Sequence, residues 1–280
     1  MYRNRSFKFL ATTGKYTALA LYVIFAMFPL YWLLKISLTP DQLIFTDGTA
    51  LWPSTLTIEN FKSVIFYTDF MSYFKNSVFV SLGTALITTL IAAAAGYAFS
   101  RFHFKGKKYI IVAMLLTQMF PLLMIISPIY KTFASLGLLN TLTSLVIVYT
   151  AFNVPFATFL MQSFFDGIPQ DLEEAAMTDG ATRFQALRKV IFPLTLPGLA
   201  ATLGFVFTAA WSELLFALML TNSNDKMTFP VGLLTFVSKF SVDWGQMMAA
   251  GTLALIPSCL FFFFIQRYLV QGLTSGAVKG

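Results

Sequence analysis

The sequence predicts an all-α integral membrane protein with six transmembrane helices and cytoplasmic N- and C-termini. Three observations carry that expectation. Of the 280 residues, 57% are hydrophobic and only 11% are charged, against about 25% charged in an ordinary soluble domain. Apolar runs of about 20 residues, enough to cross the hydrocarbon as a helix, recur six times. Basic residues crowd the segments on one side of those runs, as the positive-inside rule requires.

The runs cover residues 17–36, 77–99, 109–130, 142–163, 198–220 and 247–267. Arg3, Arg5, Lys8 and Lys15 precede the first of them, as in a signal peptide. Its apolar stretch is too long for a signal h-region and no A-x-A site follows, so it reads as a retained anchor. Six spans put both ends on one side. With the termini inside, the inner segments hold thirteen Lys and Arg residues and the outer segments six. The net charge of +7 is therefore mostly topology, and gives no reason to expect nucleic acid as a partner. Trp32, Trp52, Tyr67, Tyr73, Tyr130 and Trp244 fall near the outer face, as interfacial aromatics do. Pro121, Pro128 and Pro155 are expected to interrupt the third and fourth spans. The lone Cys259 and lone His103 leave neither a disulfide pair nor a His cluster for a metal. One membrane domain over 1–280 is expected.

Between the fourth and fifth spans lies a polar segment, 164–197, whose local code is explicit. Pro169 suits the first position of a helix. Asp171, Glu173 and Glu174 follow where the helix dipole favours acids. Gly180 is placed to end that helix in a left-handed turn. Thr182 and Gln185 have capping-box spacing and start a second helix, expected to stop near Pro193. Leu172, Ala175 and Ala176 share one face of the first helix; Phe184, Leu187 and Ile191 share one face of the second. Helices this short are marginal alone. They must lie on a partner, on the chain's own spans, or on lipid headgroups.

The pattern Glu174-Ala175-Ala176, three residues, Gly180, nine residues, Val190-Ile191-Phe192-Pro193 resembles the EAA loop of ABC importer permeases. Val and Phe stand where that motif has Ile and Leu, and the spacing is met in full. "GYAFSRFHFKGKK", "WSELLFALML" and "QRYLVQGLTSGAVKG" are similar to the MalG-like permeases of carbohydrate importers. The resemblance implies an ABC type I importer permease (MetI-like) architecture in the bacterial cytoplasmic membrane. It implies a second homologous permease, an ATP-binding cassette ATPase dimer and an extracytoplasmic solute-binding protein as partners. Glu173, Glu174, Ala175, Ala176, Asp179, Gly180, Phe184 and Pro193 would then form the element that docks on the ATPase. Gly276, Ala277, Val278, Lys279 and Gly280 are a second candidate contact, or a frayed tail.

No phosphate-binding G-x-x-x-x-G-K-[ST] loop occurs. The chain is expected to be non-catalytic and to hold no cofactor, with ATP and Mg on the partner subunits. Glu213 is the acidic residue set deepest in a predicted span. An acid there is costly and marks either a solute path or an interhelical bond. Trp211, Ser212, Asn153 and Gln118 are further path candidates, with the amide and aromatic chemistry that sugars take, or simply join helices. The EAA loop is shared by importers of amino acids, peptides and phosphonates, so it leaves the cargo open. A membrane-embedded enzyme would need several converging ionisable groups, and a gradient-driven transporter would leave the insert unexplained.

Overall fold

The computed structural model describes residues 3–47 and 50–277, with side chains described from Thr12 to Gln266 and for Tyr268. Every element of more than one bridge is helical among the described residues, so the all-α expectation holds. The chain divides into two compact units, 1–70 with 233–254, and 71–232 with 255–280.

In the first unit α1, Arg3–Ser37, runs 35 residues. Its apolar stretch is hydrophobic all round and none of it is buried within the chain, as suits a helix surrounded by lipid or by another chain. The following segment is not a plain loop. It carries α2, Glu59–Phe66. The buried Asn60 amide ties α2 to the end of α1 by donating to the carbonyls of Ser37 and Thr39 at 3.1 and 2.9 Å. Gly245 lies so close to Asp41 and Asn60 that a Cβ there would come within 2.2 Å of the Asp41 carboxylate. Burial, and then the neighbouring Asp243, raise the Asp41 carboxyl above its ordinary 3.8. A raised acid favours the folded state while protonated, and that advantage is lost as pH rises from 3.8 through the folded-state value. Asp41→Asn is therefore expected to flatten a fall in thermal midpoint that the parent protein shows over that window. An unchanged slope would remove Asp41 as its source.

The second unit begins with α3, Phe70–Arg101, whose first residue belongs to the first unit. Then come α4, Lys107–Met119, and α5, Leu122–Ser135, bent by 101° from one another. The expected single span over 109–130 is thus a broken pair. Phe120 and Pro121 both take extended backbone, because a proline ring pushes the residue before it out of the helical region. Pro128 and Pro155, also expected to interrupt spans, stay inside continuous helices. With the pair counted as one crossing, the helices long and apolar enough to cross a membrane number up to six among the described residues.

Next are α6, Leu142–Asp166, and α7, Asp171–Thr178. Then α8, Arg183–Ala186, passes through a π-turn, Leu187–Ile191, into α9, Phe192–Trp211. The fifth span, expected over 198–220, stops at Trp211. A separate short helix α10, Leu215–Leu220, follows a break. Then come α11, Phe229–Leu233, and α12, Trp244–Ala277, whose turns up to Ala254 belong to the first unit.

The core of this unit gathers Val80, Leu145, Val148, Tyr149, Phe216 and Leu220 from α3, α6 and α10. Two glycines permit close helix approach to α6. A Cβ on Gly96 would meet the Gln162 nitrogen and Met161 Cβ at 2.8 Å, and one on Gly198 would meet the Phe164 ring at 2.4 Å. Asn140, at φ 58°, turns the chain ahead of α6. Its side-chain oxygen accepts from the backbone of Asn222 and Ser223, both at 3.1 Å.

Candidate functional site: the paired-helix loop and the helix break

The segment 164–197 folds largely as its code directs. The last turn of α7 closes in a Schellman motif. Ala181 N–H donates to the Ala176 carbonyl and Gly180 N–H to Met177, both at 3.0 Å. Gly180 takes φ 91°, where a side chain would be strained. Thr182 and Gln185 complete the capping box in both directions. The helix α7 itself starts at Asp171, two residues beyond the expected Pro169 start.

The second helix does not stop at Pro193. It continues to Trp211. Phe192 N–H reaches back five residues to the Leu187 carbonyl, closing the π-turn. Pro193 follows directly, so its missing N–H falls where the π-turn has already interrupted the regular helical ladder. The π-turn also splits the face expected for Phe184, Leu187 and Ile191. Phe184 is 70% exposed while Ile191 is fully buried.

The two neighbouring glutamates have opposite fates. Glu173 is buried, at 4% exposure. Tyr97, on α3, donates its hydroxyl to Glu173 Oε1 at 2.5 Å. Arg101, at the end of α3, brings Nε to 3.3 Å from Oε2, and Arg183 Nε stands 3.7 Å from Oε1. Arg101 also donates through Nη2 to the Ile168 carbonyl at 2.9 Å. The arrangement has a plain electrostatic logic. Arg101 occupies the negative end of α3 and Glu173 the positive first turn of α7. Glu174 and Ala175 point outward and are exposed, as are Leu172, Asp179 and Phe184, with Ala176 half-buried. Of the two expected faces, Leu172, Ala175 and Phe184 are uncovered by the chain itself, Ala176 and Leu187 are half-buried and Ile191 is buried, and α7 is held by a charge as well.

Two of the other candidates, Asn153 and Gln118, make their bonds to adjacent turns of α6. Asn153 donates to the Tyr149 carbonyl on its own helix at 2.8 Å. Gln118, exposed at the end of α4, reaches the Phe152 carbonyl at 3.4 Å. Phe152 packs on Phe216 with ring centroids 5.0 Å apart. Glu213 sits in the break between α9 and α10 and accepts from the N–H groups of Phe216 and Ala217 at 2.9 and 3.2 Å. The Tyr149 hydroxyl is buried without a hydrogen-bond partner. Gln118 and Glu213 are thus linked through Phe152 and Phe216, while Asn153 bonds along its own helix. Trp211 belongs elsewhere: it is buried, stacked on Phe207 and edge-on to Phe74. Ser212 bonds back to the Thr208 carbonyl at 3.0 Å. Sequence reasoning missed Tyr97 and Arg101. Arg101 could have been flagged as the one cation closing a long span before the polar "FHFKGKK" loop.

Glu213 satisfies two backbone donors at a helix start, so Glu213→Ala is expected to lower stability by about 1 kcal/mol, the usual worth of such a cap. Glu213→Gln, which keeps one acceptor oxygen, should retain most of it. Thermal unfolding in nanodiscs reads both, and a parental midpoint for the alanine variant would deny the cap its role.

Gly276 and Ala277 complete α12, while Val278, Lys279 and Gly280 lie outside the described residues.

This geometry defines a class: a helical membrane protein of up to six crossings with a two-helix polar segment fixed to the end of one long helix. Comparison with known proteins names the family. The family described as binding-protein-dependent transport system inner membrane component matches residues 86–275. The trehalose transport system permease protein SugB of Mycobacterium tuberculosis is 39% identical over 262 residues, covering 93% of this chain and 95% of that protein. The diacetylchitobiose uptake system permease protein DasC of Streptomyces coelicolor is 37% identical, covering 94% and 95%. The trehalose/maltose transport system permease protein MalG of Thermococcus litoralis is 36% identical, covering 93% and 94%. A solved bacterial ABC transporter involved in the import of alginate has the same fold, with TM-score 0.77 at 23% identity, covering 93% of this chain and 96% of that one. The chain belongs to the binding-protein-dependent transport permeases, and is a multi-pass protein of the cytoplasmic membrane.

Proposed function

We propose that the chain is the permease subunit of an ATP-driven, binding-protein-dependent importer for a sugar or oligosaccharide. In this reading the exposed face of α7 and α8, with Glu174, Ala175, Leu172 and Phe184, seats on an ATPase subunit in the cytoplasm. Both termini then lie on that same side, which the excess of basic residues in the inner segments supports. ATP and Mg are held and ATP is cleaved on the ATPase dimer; this chain moves solute and breaks no bond. A second homologous permease completes the pathway, and an extracytoplasmic binding protein delivers the cargo. The relatives that transport trehalose, maltose and diacetylchitobiose support a carbohydrate cargo. Gln118, Asn153, Trp211, Ser212 and Glu213 stay the candidates for a solute path, and Gly276–Gly280 a second candidate contact with the ATPase.

One observation carries the coupling reading. The loop turns one carboxylate inward to fix itself and leaves the next, with small and apolar neighbours, uncovered. Reconstitution with its ATPase, partner permease and binding protein in liposomes tests the whole. ATP-dependent accumulation is expected for a sugar or oligosaccharide in a panel that includes amino acids and peptides. Accumulation of an amino acid alone would overturn the cargo. Uptake without the ATPase would overturn the energy source.

A further inference from the structure

We infer that Tyr97, Arg101 and Glu173 form a clamp that stays closed through the transport cycle, making α7 one rigid body with the inner end of α3. This rests on the coupling role proposed above for the loop, and assigns three residues as the positioning group that passes its movement on.

Three linkages converge on residues 96–101. Gly96 brings the α3 backbone against Met161 and Gln162 of α6, with no room for a methyl group. One residue on, the Tyr97 ring is edge-on to Phe165 of α6, centroids 5.5 Å apart, while its hydroxyl reaches Glu173 of α7. Arg101 holds both the connection between α6 and α7, through the Ile168 carbonyl, and α7 itself, through Glu173. A push on α7 therefore has a path to α3 that does not run through the short 167–170 connection.

The path is electrostatically stiff. Glu173 and Arg101 are each only 6% exposed in their side chains. The pair meets as an ion contact outside hydrogen-bond geometry. Separating it would leave the Arg101 guanidinium buried without its carboxylate and Glu173 with the half-exposed Arg183 as its counter-charge, a costly change inside a fold. Arg183, from the other helix of the lever, adds a second cation at 3.7 Å and lies over the Phe102 ring at 5.0 Å. Both helices of the loop are thus drawn to the same end of α3. A loop meant to swing on its own hinge would have no use for such an anchor. A loop meant to deliver force would require one.

The test replaces the ionic link by a covalent one in the assembled importer. The native cysteine, Cys259, is exposed and is first changed to Ser. Arg101→Cys with Glu173→Cys is expected to lower solute moved per ATP hydrolysed at least about fivefold, the low end of ordinary coupling energies. Bridging the two thiols with a short bifunctional reagent is expected to restore that ratio. Restoration in protein already folded and assembled separates force transfer from a role in folding. A bridged importer that stays as poor as the unbridged one, or falls further, overturns the clamp. Tyr97→Phe keeps the ring contacts and removes only the hydroxyl, which serves if the cysteine pair fails to assemble. Its ratio is expected to fall severalfold, and a parental ratio counts against the clamp. Glu174→Lys in the same background distinguishes the two readings. If it uncouples while bridging fails to rescue, the clamp alone is wrong. If it leaves the ratio intact, the coupling role of the loop is wrong.

Discussion

Glu174→Lys is expected to cut uptake by the assembled importer about tenfold or more while the variant still reaches the membrane in parental amounts. Glu174 is exposed and spends neither carboxylate oxygen on its own chain among the described hydrogen bonds. Nothing internal is lost on substitution. The helix loses little as well, because Lys is as good a helix former as Glu and only the favourable dipole contribution of an acid near the start disappears. What changes is the surface offered to a partner. Reversing a charge at a docked, desolvated position costs about 2–5 kcal/mol of association, which is well beyond tenfold. The measurements are membrane abundance, ATPase activity and uptake in the same vesicles. Parental abundance with collapsed uptake is the expected set. Parental uptake would place Glu174 outside any interface.

Gly96→Val is expected to abolish most folded protein, with a penalty at or above the 1–3 kcal/mol usual for overpacked sites. A Cβ at Gly96 would stand 2.8–3.0 Å from backbone and Cβ atoms of α6, which cannot swing aside as the tip of a flexible side chain does. Either α3 and α6 move apart or the helix bends, and both would disturb Tyr97 next door. Gly83→Ala is the control on the same helix. Its Cβ would meet a Val146 methyl at 3.7 Å, an ordinary contact. Fluorescence-detected size-exclusion profiles and thermal midpoints should separate the two clearly. Similar behaviour of both variants would mean that the close approach at Gly96 does not hold the helices together.

Much of the loop was legible because its signals are local. Gly180, Thr182 and Gln185 act on backbone groups within a few residues, so their roles follow from the order of the chain alone. Pro121 behaved as a breaker, whereas Pro128 and Pro155 did not. A membrane helix can carry a proline where neighbours satisfy or shield the freed carbonyl, and those neighbours are not written next to it. The break at Glu213 carries no proline or glycine signal. It arises because the carboxylate competes with the helix for the N–H groups of Phe216 and Ala217.

The sequence by itself determined the membrane class, most of the crossings and the paired-helix design of the loop, since apolar length and turn chemistry are properties of short stretches. Only the tertiary structure decided which of two adjacent glutamates is anchor and which is free. The reason is physical. Helical spacing tells which residues share a face, but the charge that makes burial of Glu173 tolerable comes from an element folded against it, with Tyr97 placed 76 residues earlier.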